Sequence, residues 1–374
     1  MIENIQHILY ICLGIYSTII LILRDSLFND NKKIKNKKTI SVIVAVKNGE
    51  NSISQLLNQL HQQKDINILE FLIVDDNSND NTKHIIKKYS DLDPRFVLLS
   101  SNQGNTNLKH KKRALDAGIK SAKGEILLFT DVDCQVPDNW SKQISSKFFS
   151  DIHYVVGYSE VPSSKNIITL FQKIDLFMLM NTAHSTLNKN WYWASSGQNQ
   201  SYLKEIFTKN KGFNEISNCL QGDDTLFFQI CRKNIKDFKS TFAFDPQNKV
   251  YCRQEKTLYS FIMQRIRWAG DALKTWKFNK YFFCMSIITF FTNSIIFLNS
   301  FFIILNYITI FQFIIPILIK FIIEYSFALK GMKTHNDNYN IFQFSYWFIF
   351  QPLYIITIGI GSFFQNHLLW RESR

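Results

Sequence analysis

The chain has 374 residues, of which 46% are hydrophobic and 20% are charged, and its formal net charge is +13. This composition excludes a disordered polypeptide, and long apolar segments near both ends exclude a purely soluble enzyme. Each segment is close to the ~20 residues needed to cross a ~30 Å hydrocarbon core. The segments lie at about 5–23, 281–306, 309–329 and 341–363. They leave a polar middle region long enough for one α/β domain.

The first apolar segment, Ile5 to Leu23, is predicted to be a retained membrane anchor rather than a secretion signal. Glu3 stands where a signal would carry a basic residue, and no small-residue cleavage site follows. Six basic residues come soon after the segment: Arg24, Lys32, Lys33, Lys35, Lys37 and Lys38. Because basic flanks mark the cytoplasmic side, we predict an integral protein of the inner or plasma membrane with its middle domain in the cytoplasm.

The net charge does not indicate a nucleic-acid-binding protein. The densest basic run lies beside the first apolar segment, whereas nucleic-acid binding needs a basic stripe on the folded domain. The cysteines are compatible with the reducing cytoplasmic side. Two of them lie in or beside apolar segments, and none are spaced as zinc ligands. We interpret all six as free thiols, namely Cys12, Cys134, Cys219, Cys231, Cys252 and Cys284.

The middle region alternates short apolar runs with polar helical stretches. A β-branched run at Ile40 to Val46 leads through Lys47-Asn48-Gly49-Glu50 into a helical stretch. Three further runs predict strands at Phe71–Val74, Phe96–Leu99 and Ile126–Thr130. Strands that alternate with helices indicate a parallel sheet covered on both faces. Ligands of such sheets bind beyond the carboxyl ends of the strands.

Acidic side chains follow two of these strands. Asp75-Asp76 comes directly after the second strand, and the sequence leaves open whether the pair forms a capping turn or binds a ligand. Asp131-Val132-Asp133 follows the fourth strand. In an extended segment this alternation puts both carboxylates on one side. Such hard oxygen ligands hold Mg²⁺ or Mn²⁺ that bridges a diphosphate, although turns also produce the motif.

A second acidic pair, Asp223-Asp224, follows Gln221-Gly222 and precedes an apolar helical run. Aspartate at a helix start is stabilised by free N–H groups and by the helix dipole. A carboxylate beside another carboxylate also has its pKa shifted, which suits a general base. The capping and catalytic interpretations are compatible.

The segment Gln264-Arg265-Ile266-Arg267-Trp268 belongs to a predicted helix with two different faces. One face carries Gln264, Arg267, Trp268 and Asp271. The other carries an apolar stripe of Leu258, Ile262, Ile266, Ala269, Leu273 and Trp276. The stripe predicts an amphipathic helix on the membrane surface, while the polar face offers a guanidinium for a diphosphate and an indole for a sugar ring. A snorkelling arginine and an interfacial tryptophan are the plainer alternative.

Taken in order, these motifs resemble the membrane-bound family 2 glycosyltransferases with a GT-A fold, the group that holds cellulose, chitin and hyaluronan synthases and ceramide glucosyltransferase. The resemblance covers about 40–275. It implies nucleotide-sugar binding by Asn48, Glu50, Asp75, Asp76, Lys111 and Asp131, metal binding by Asp133 and Asp131, and catalysis by Asp224 and Asp223. It implies acceptor or diphosphate contacts by Gly197, Asn199, Gln264, Arg267 and Trp268. The glycine that usually precedes the family's lysine is His110 here.

The fold that the resemblance implies is α/β, a Rossmann-like mixed sheet of the GT-A type, with one N-terminal and about three C-terminal transmembrane helices. The expected organisation has four parts. These are an anchor with its basic flank at 1–38, a GT-A domain at 39–257, an interfacial helix at 258–280 and transmembrane helices at 281–374.

The C-terminal end raises a conflict of topology. Three crossings after a cytoplasmic domain leave Trp370-Arg371-Glu372-Ser373-Arg374 outside, whereas its arginines favour the cytoplasm. Pro316 and Pro352 offer places where a span can break. We therefore expect the last apolar segment to be re-entrant or interfacial.

The reaction that the resemblance implies is inverting transfer from a nucleotide sugar, expected to be a UDP-sugar, to a hydroxyl of a membrane lipid or lipid-linked glycan. Mg²⁺ or Mn²⁺ is the implied cofactor, and no nucleic acid is expected as a partner. Few spans favour single transfer over the alternative, a processive polysaccharide synthase. A non-catalytic membrane scaffold is a third alternative. Such a protein is expected to lose Asp133, Asp224 or Arg267, and this chain keeps all three.

Overall fold

A computed structural model of the chain describes residues 2–30, 32, 34, 37–149, 151–247 and 249–364. Lys33 and Lys35 of the basic flank, and the C-terminal stretch from Trp370 to Arg374, lie outside the described residues. The chain divides into two compact units. A helical unit comprises 2–28, 163–189 and 255–364, and an α/β unit comprises 29–162 and 190–254.

The strands of the described residues belong to the α/β unit. They are β1 Ile40–Val46, β2 Ile68–Asp75, β3 Phe96–Ser100, β4 Ile126–Phe129, β5 Tyr154–Gly157, β6 Ser159–Glu160, β7 Gln200–Leu203, β8 Ser240–Ala243 and β9 Val250–Tyr251. The four strands predicted from the sequence are β1 to β4, and they are confirmed with small shifts at their ends. The apolar residues of β1, β2 and β4 are mostly buried, as expected for a sheet covered on both faces, whereas β3 at the edge of the sheet is only partly buried beyond Phe96.

Within the described residues, seven strands form one mixed sheet in the order β3, β2, β1, β4, β7, β5, β8. Neighbours from β3 to β4 run parallel, whereas β7 runs antiparallel to β4 and to β5. The register pairs Val46 of β1 with Asp75 of β2, and Asp75 with Ser100 of β3. The carboxyl ends of these three strands therefore meet at one edge of the sheet, where the acidic loops begin.

The helices, in chain order, are α1 Ile2–Asp25, α2 Glu50–His61, α3 Thr82–Leu92, α4 His110–Ser121, α5 Trp140–Ser145, α6 Ile167–Asn188, α7 Lys204–Lys209, α8 Thr225–Asn234, α9 Leu258–Ala272, α10 Lys280–Ile304, α11 Ile310–His335 and α12 Ile341–Ser362. Helix α2 illustrates why the chain folds in this way. Its buried residues Ile53, Leu56, Leu57 and Leu60 recur at helical spacing and form one apolar face.

Four helices in the described part of the chain are long and apolar enough to cross a bilayer: α1, α10, α11 and α12. They coincide with the four predicted spans. Pro316 lies inside α11 and Pro352 inside α12, and neither residue ends its helix. Neither of these possible break points is used, because membrane helices tolerate proline where neighbouring groups satisfy the freed carbonyl. The re-entrant or interfacial placement of the last segment stays a prediction. Helix α12 is continuous over 22 residues, which is long enough for a full span.

Helix α6 belongs to the helical unit, although its sequence lies within the expected 39–257 domain. Its Phe171 ring packs edge-to-face against Phe261 of α9 and Tyr354 of α12, with centroids 5.8 and 5.2 Å apart. Buried residues occur on all sides of α6, so its sequence has no single apolar face that would reveal its partners. The α/β unit is thus interrupted in sequence by one helix of the other unit.

A buried polar cluster joins three of the apolar helices. The Lys320 ammonium of α11 lies 2.8 Å from Oε1 of Glu324 one turn later, and it also donates to Oε1 of Gln351 on α12. The Tyr16 hydroxyl of α1 donates to the Glu324 carboxylate at 2.5 Å. A lone charge in hydrocarbon is costly, so this mutual neutralisation is what permits a lysine in the middle of a span.

We expect Lys320→Met to destabilise the protein, because it leaves the Glu324 carboxylate buried without its cation. Removing one partner of a buried ion pair costs about 3–5 kcal/mol, whereas replacing both with apolar residues is often neutral. A double variant with Lys320→Met and Glu324→Leu should therefore regain much of the loss. Thermal unfolding in detergent measures both variants, and equal losses in the single and double variants would contradict this expectation.

Candidate active site

The loops that follow β1 and β2 are joined by hydrogen bonds. Asn48 has a left-handed backbone with φ of 50°, and its Oδ1 accepts from the Asn79 N–H at 2.9 Å. Oε2 of Glu50 accepts from the Asn81 N–H at 3.0 Å. The two side chains predicted to bind the nucleotide, Asn48 and Glu50, therefore brace the second loop against the first.

The aspartates after β2 shape the second loop. The buried Asp75 carboxylate accepts from the Ser78 N–H at 3.2 Å and lies 3.4 Å from the Lys83 ammonium. The Asp76 N–H donates to the Val46 carbonyl at 2.7 Å. Of the two possibilities that the sequence left open, the turn is therefore present at Asp75. Nucleotide binding by Asp75 and Asp76 stays a prediction.

Lys111, in the first turn of α4, joins two acidic segments that are far apart in the sequence. Its Nζ lies 2.8 Å from Oδ1 of Asp131 and 3.0 Å from Oδ2 of Asp223. Burial alone would lower the pKa of Lys111, but Asp131 and Asp223 together raise it well above its ordinary value. Lys111 is therefore a permanent cation at the centre of the acidic cluster.

Asp224 is both a helix cap and a candidate base. Its Oδ1 accepts from the Thr225 N–H at 2.5 Å and caps α8, while its Oδ2 accepts from the Gly197 N–H at 3.1 Å. Burial raises the pKa of Asp224 to about 6, and the neighbouring Asp223 carboxylate contributes to the rise. A carboxyl group with this pKa is ionised at neutral pH and is still basic enough to take a proton.

The loop before β7 fits closely against this cluster. A Cβ atom at Gly197 would lie 3.0 Å from the Lys111 ammonium and 3.4 Å from Oδ2 of Asp223. The Thr130 hydroxyl donates to the Gln198 carbonyl at 3.0 Å, which ties the loop to the end of β4. The predicted site residue Gly197 therefore lies directly at the acidic cluster, and a larger residue there would displace Lys111.

Asn199, which was also predicted to contact the acceptor, uses its side chain inside the domain. Its Nδ2 donates to the Tyr158 carbonyl at 2.9 Å, and its Oδ1 accepts from the Trp140 indole N–H at 2.9 Å. The residue is only 2% exposed. The Asn199 side chain therefore supports the loop that carries Gly197, and its contact with the acceptor stays a prediction.

Asp131 and Asp133 follow β4 in a turn. The Cys134 N–H donates to the Asp131 carbonyl at 3.0 Å and closes the turn, so the extended segment expected from the sequence is wrong. Val132 is buried while both aspartates are partly exposed.

Across the described residues, no three or more His, Cys, Asp or Glu side chains form a ready metal cluster. Two carboxylates nevertheless fit Mg²⁺ or Mn²⁺, since Mg²⁺ typically takes one or two protein carboxylates and completes its shell with substrate phosphates and water.

Motif matching misses Lys112, which holds the segment that leads into the second acidic pair. Its side chain is buried, and its ammonium donates to the carbonyls of Ile216 at 2.6 Å, Gln221 at 3.1 Å and Cys219. A buried charge needs such partners, because leaving it unpaired away from water is very costly. Its sequence signal is a second lysine directly after Lys111.

The predicted diphosphate and acceptor residues Gln264, Arg267 and Trp268 lie on α9 of the helical unit, where all three are partly exposed. The helix ends at Ala272 and continues as a 3₁₀ turn over Leu273–Lys277. The sequence predicted that the apolar stripe stays α-helical through Leu273 and Trp276, and this part of the prediction is wrong. The chain tightens to a 3₁₀ turn there, which is common at helix ends. The functional roles of the three residues stay predictions.

Arg265, inside the same motif, is a second residue that motif matching misses. Its buried guanidinium donates to Oδ2 of Asp175 on α6 at 2.8 Å, and the Tyr354 hydroxyl of α12 donates to the same oxygen at 3.2 Å. The guanidinium also lies 4.0 Å from the centre of the Trp268 ring. These contacts fix the rotation of α9. Asp271, which was expected on the polar face, is buried instead.

The mixed sheet, with acidic residues at the ends of its strands, defines a class of fold, the GT-A type of nucleotide-sugar transferases. A solved structure with this likeness is the mannosyltransferase PcManGT from Pyrobaculum calidifontis in complex with GDP-Man and Mn²⁺. The TM-score is 0.64 at 13% identity, and the likeness covers 98% of this chain and 100% of that chain. At this identity the likeness establishes the fold alone.

Residues 41–210 match the family model described as glycosyl transferase family 2, so the chain carries a domain of that family. It is 39% identical over 102 residues to the poly(ribitol-phosphate) beta-N-acetylglucosaminyltransferase TarP of Staphylococcus aureus, covering 26% of this chain and 28% of that protein. It is 29% identical over 133 residues to the UDP-Glc:alpha-D-GlcNAc-diphosphoundecaprenol beta-1,3-glucosyltransferase WfgD of Escherichia coli, covering 35% of this chain and 50% of that protein. The chain thus spans at most half the length of these two relatives.

His110 starts α4 with a left-handed backbone, φ of 53°, at the position where the resembling family usually has glycine. Glycine adopts this conformation at little cost, and a β-branched residue does so very poorly. We expect His110→Gly to be tolerated and His110→Val to lose about 1–3 kcal/mol of unfolding free energy. Chemical denaturation compares the two variants, and equal stability would argue against strain at this position.

Lys112→Met should loosen the segment that precedes the acidic pair. Each buried carbonyl left without a partner costs about 1–3 kcal/mol, so we expect faster amide hydrogen exchange over 216–224. Lys120→Met on the same helix is the matched control, since the Lys120 ammonium is exposed and pairs at 2.8 Å with the Asp116 carboxylate of the same helix. We expect this variant to leave exchange over 216–224 unchanged. Unchanged exchange in Lys112→Met would refute the role of its ammonium.

Proposed function

We propose that this chain is an inverting, metal-dependent glycosyltransferase. It moves a sugar from a nucleotide diphosphate sugar to a hydroxyl group of a membrane lipid or lipid-linked glycan. The observation that carries this proposal is the convergence of Asp131, Asp223 and Asp224 on Lys111 beyond the end of β4. Sheets of this kind bind their ligands beyond the carboxyl ends of the strands.

Asp224 is the general base in this proposal. Its carboxylate takes the proton from the acceptor hydroxyl as that oxygen attacks the anomeric carbon on the face opposite the departing diphosphate, which inverts the configuration. Hydrogen bonds from the Gly197 and Thr225 N–H groups hold the carboxylate in one orientation. A fixed base avoids the entropy cost of finding the reacting hydroxyl.

Lys111 brings positive charge to the departing diphosphate. Its ammonium keeps Asp131 and Asp223 together despite their like charges, and Asp223 in turn holds the ammonium in position. A fixed cation beside developing negative charge stabilises the transition state. Asp131 and Asp133 are assigned to Mg²⁺ or Mn²⁺, which when bound offsets further charge on the diphosphate.

The remaining roles follow the resemblance. We assign nucleotide binding to the loops that follow β1 and β2. Four residues of these loops, Asn48, Glu50, Asp75 and Asp76, hold the loops in the conformation that receives the nucleotide. Gln264, Arg267 and Trp268 are assigned to the diphosphate and the acceptor. Arginine suits the first because its fork is bidentate and always charged, and tryptophan suits the second because sugar rings pack on its face.

The classes of donor and acceptor draw support from the relatives and from the apolar helices. The name of WfgD describes a UDP-glucose donor and a diphosphoundecaprenol-linked acceptor. Four helices of the described residues have the length and composition of spans, so a lipid-borne acceptor would reach the enzyme within the membrane plane. Lys37 and Lys38 follow the first of these helices and favour a cytoplasmic position for the catalytic domain.

The rate of transfer should fall as the pH drops through about 6. Burial, together with Asp223, raises the pKa of Asp224 to about 6, so the reactive carboxylate is present above that pH and is lost below it. Between pH 7 and pH 5 we expect about a tenfold loss in kcat/KM. Asp223→Asn removes the neighbouring charge and should move the midpoint to lower pH. A flat profile over this range would exclude Asp224 as the base.

The activity itself is tested on the full-length protein in detergent. The protein is incubated with a panel of UDP- and GDP-sugars, Mn²⁺ or Mg²⁺ and a total lipid extract, and the products are identified by mass spectrometry. A single added sugar on a lipid supports the proposal, whereas a ladder of increments would identify a processive polysaccharide synthase instead.

Two variants and one control link this activity to the site. Asp224→Asn should reduce transfer by about 10²–10⁴-fold, because it removes the base. Asp133→Ala should slow transfer and raise the metal concentration needed for the half-maximal rate, because it removes one of the two carboxylates assigned to the metal. Asp91→Asn, at an exposed position of α3, is the matched control and should keep full activity. Full transfer by both site variants would overturn the assignment.

A further inference from the structure

Gln135 and Tyr251 form an isolated antiparallel bridge between β9 and the segment after the Asp131 turn. They exchange both main-chain hydrogen bonds, from the Gln135 N–H to the Tyr251 carbonyl at 2.8 Å and in the reverse direction at 3.0 Å. The pair next to such a pair in an antiparallel ladder is not hydrogen-bonded, and its Cα atoms are ~4.5 Å apart. In this register the next pair is Cys134 and Cys252.

The hydrogen bonds of the two cysteines agree with this register. The Cys134 N–H donates to the Asp131 carbonyl at 3.0 Å and the Cys252 N–H donates to the Glu160 carbonyl at 2.8 Å, so neither points at the opposite segment. The Cys252 thiol lies close enough to raise the pKa of the Cys134 thiol, and each cysteine is 2% exposed. The expected Cα spacing falls within the range of about 4.4–6.8 Å that a disulfide spans without backbone movement.

We propose that Cys134 and Cys252 are a reversible thiol–disulfide site in the α/β unit. All six cysteines are free thiols in the structure, which suits a reducing compartment. Disulfides that form in such a compartment are transient and often sense the redox state. The pair is therefore a candidate for reversible modification directly beside the Asp131–Asp133 turn.

The modification is an exchange with a low-molecular-weight disulfide. One cysteine loses its proton and attacks that disulfide, so a mixed S–S bond forms and one small thiolate leaves. The second cysteine loses its proton and attacks the protein sulfur of the mixed disulfide, so the Cys134–Cys252 bond forms and the second small thiolate leaves. The protein gives up two electrons and two protons, and the small disulfide becomes two thiols. Since both cysteines are buried, the turn must open first, and we expect exchange on the order of minutes to hours.

Oxidation of Cys134 and Cys252 would affect the candidate active site through the contacts of Gln198. In the reduced protein the Cys252 thiol donates to Oε1 of Gln198 at 2.9 Å, and the Gln198 carbonyl accepts from Thr130. The disulfide removes that thiol donor and covalently joins the turn to the end of β9. If the proposed function holds, transfer should slow by roughly tenfold or more, because displacing a catalytic group by about 1 Å can cost ~10²-fold.

The test uses full-length protein in detergent, freed of reductant and equilibrated with mixtures of glutathione disulfide and glutathione. Free thiols are then alkylated, and the digested protein is examined by mass spectrometry. We expect a linked pair of peptides that contains Cys134 and Cys252, lacks two hydrogen atoms and disappears with dithiothreitol. The proposal is overturned if both cysteines stay fully alkylatable in excess glutathione disulfide, or if Cys134 links equally to Cys219 or Cys231.

Two serine variants control for folding and specificity. Cys252→Ser keeps a hydroxyl donor for Gln198 but should prevent the link. Cys231→Ser, at another buried cysteine, should leave the link intact. Peptide mapping needs no substrate, so failure of the proposed transferase function leaves this result readable. Where transfer is measurable, oxidation should slow the wild type and the Cys231→Ser variant but not Cys252→Ser. A linked protein with an unchanged rate would overturn the effect on catalysis.

Discussion

One ammonium group allows three carboxylates to share one corner of this protein. The Lys111 Nζ lies within 3.0 Å of both Asp131 and Asp223, and Asp224 adjoins the same cluster. Without this cation, like charges in a partly dry site would repel one another, and at least one carboxylate would take up a proton. The positions of the turn after β4 and of the start of α8 therefore depend on one lysine side chain.

Helix α4 holds Lys111 in place because it packs very closely on the sheet. A Cβ atom at Gly118 would lie 2.7 Å from Ile43 and 3.0 Å from Val74, so a larger residue would push the helix away from β1 and β2. The same helix fixes the approach to the second acidic pair through the carbonyl contacts of Lys112. Helix α4 therefore links three features of the domain. It packs on the sheet, it places the charge of Lys111 in the site, and it holds the segment at 216–221 through Lys112.

Local patterns predicted most of the fold, because an apolar run or a long apolar helix is a property of neighbouring residues. The run at Ile40–Val46 became β1 with the same bounds. Motif order also selected Lys111 and Asp224, which the structure places in one acidic cluster, and their roles stay predictions. What the sequence did not reveal depends on partners far away in the chain, such as the carbonyls around Lys112 and the Asp175 partner of Arg265. Asn199 fits its motif, but its side-chain amide is hydrogen-bonded to Tyr158 and Trp140 inside the domain.

Helix α6 has a practical consequence for anyone who seeks the catalytic domain in isolation. The chain passes between the two units after residues 28, 162, 189 and 254. A fragment cut at 39 and 257 would carry α6 without α9 and α12, and it would expose the Phe171 ring and the Asp175 carboxylate that those helices cover. Exposed apolar surface of that kind favours aggregation. A fragment limited to the α/β unit would instead omit 163–189 and join residue 162 to residue 190 through a linker.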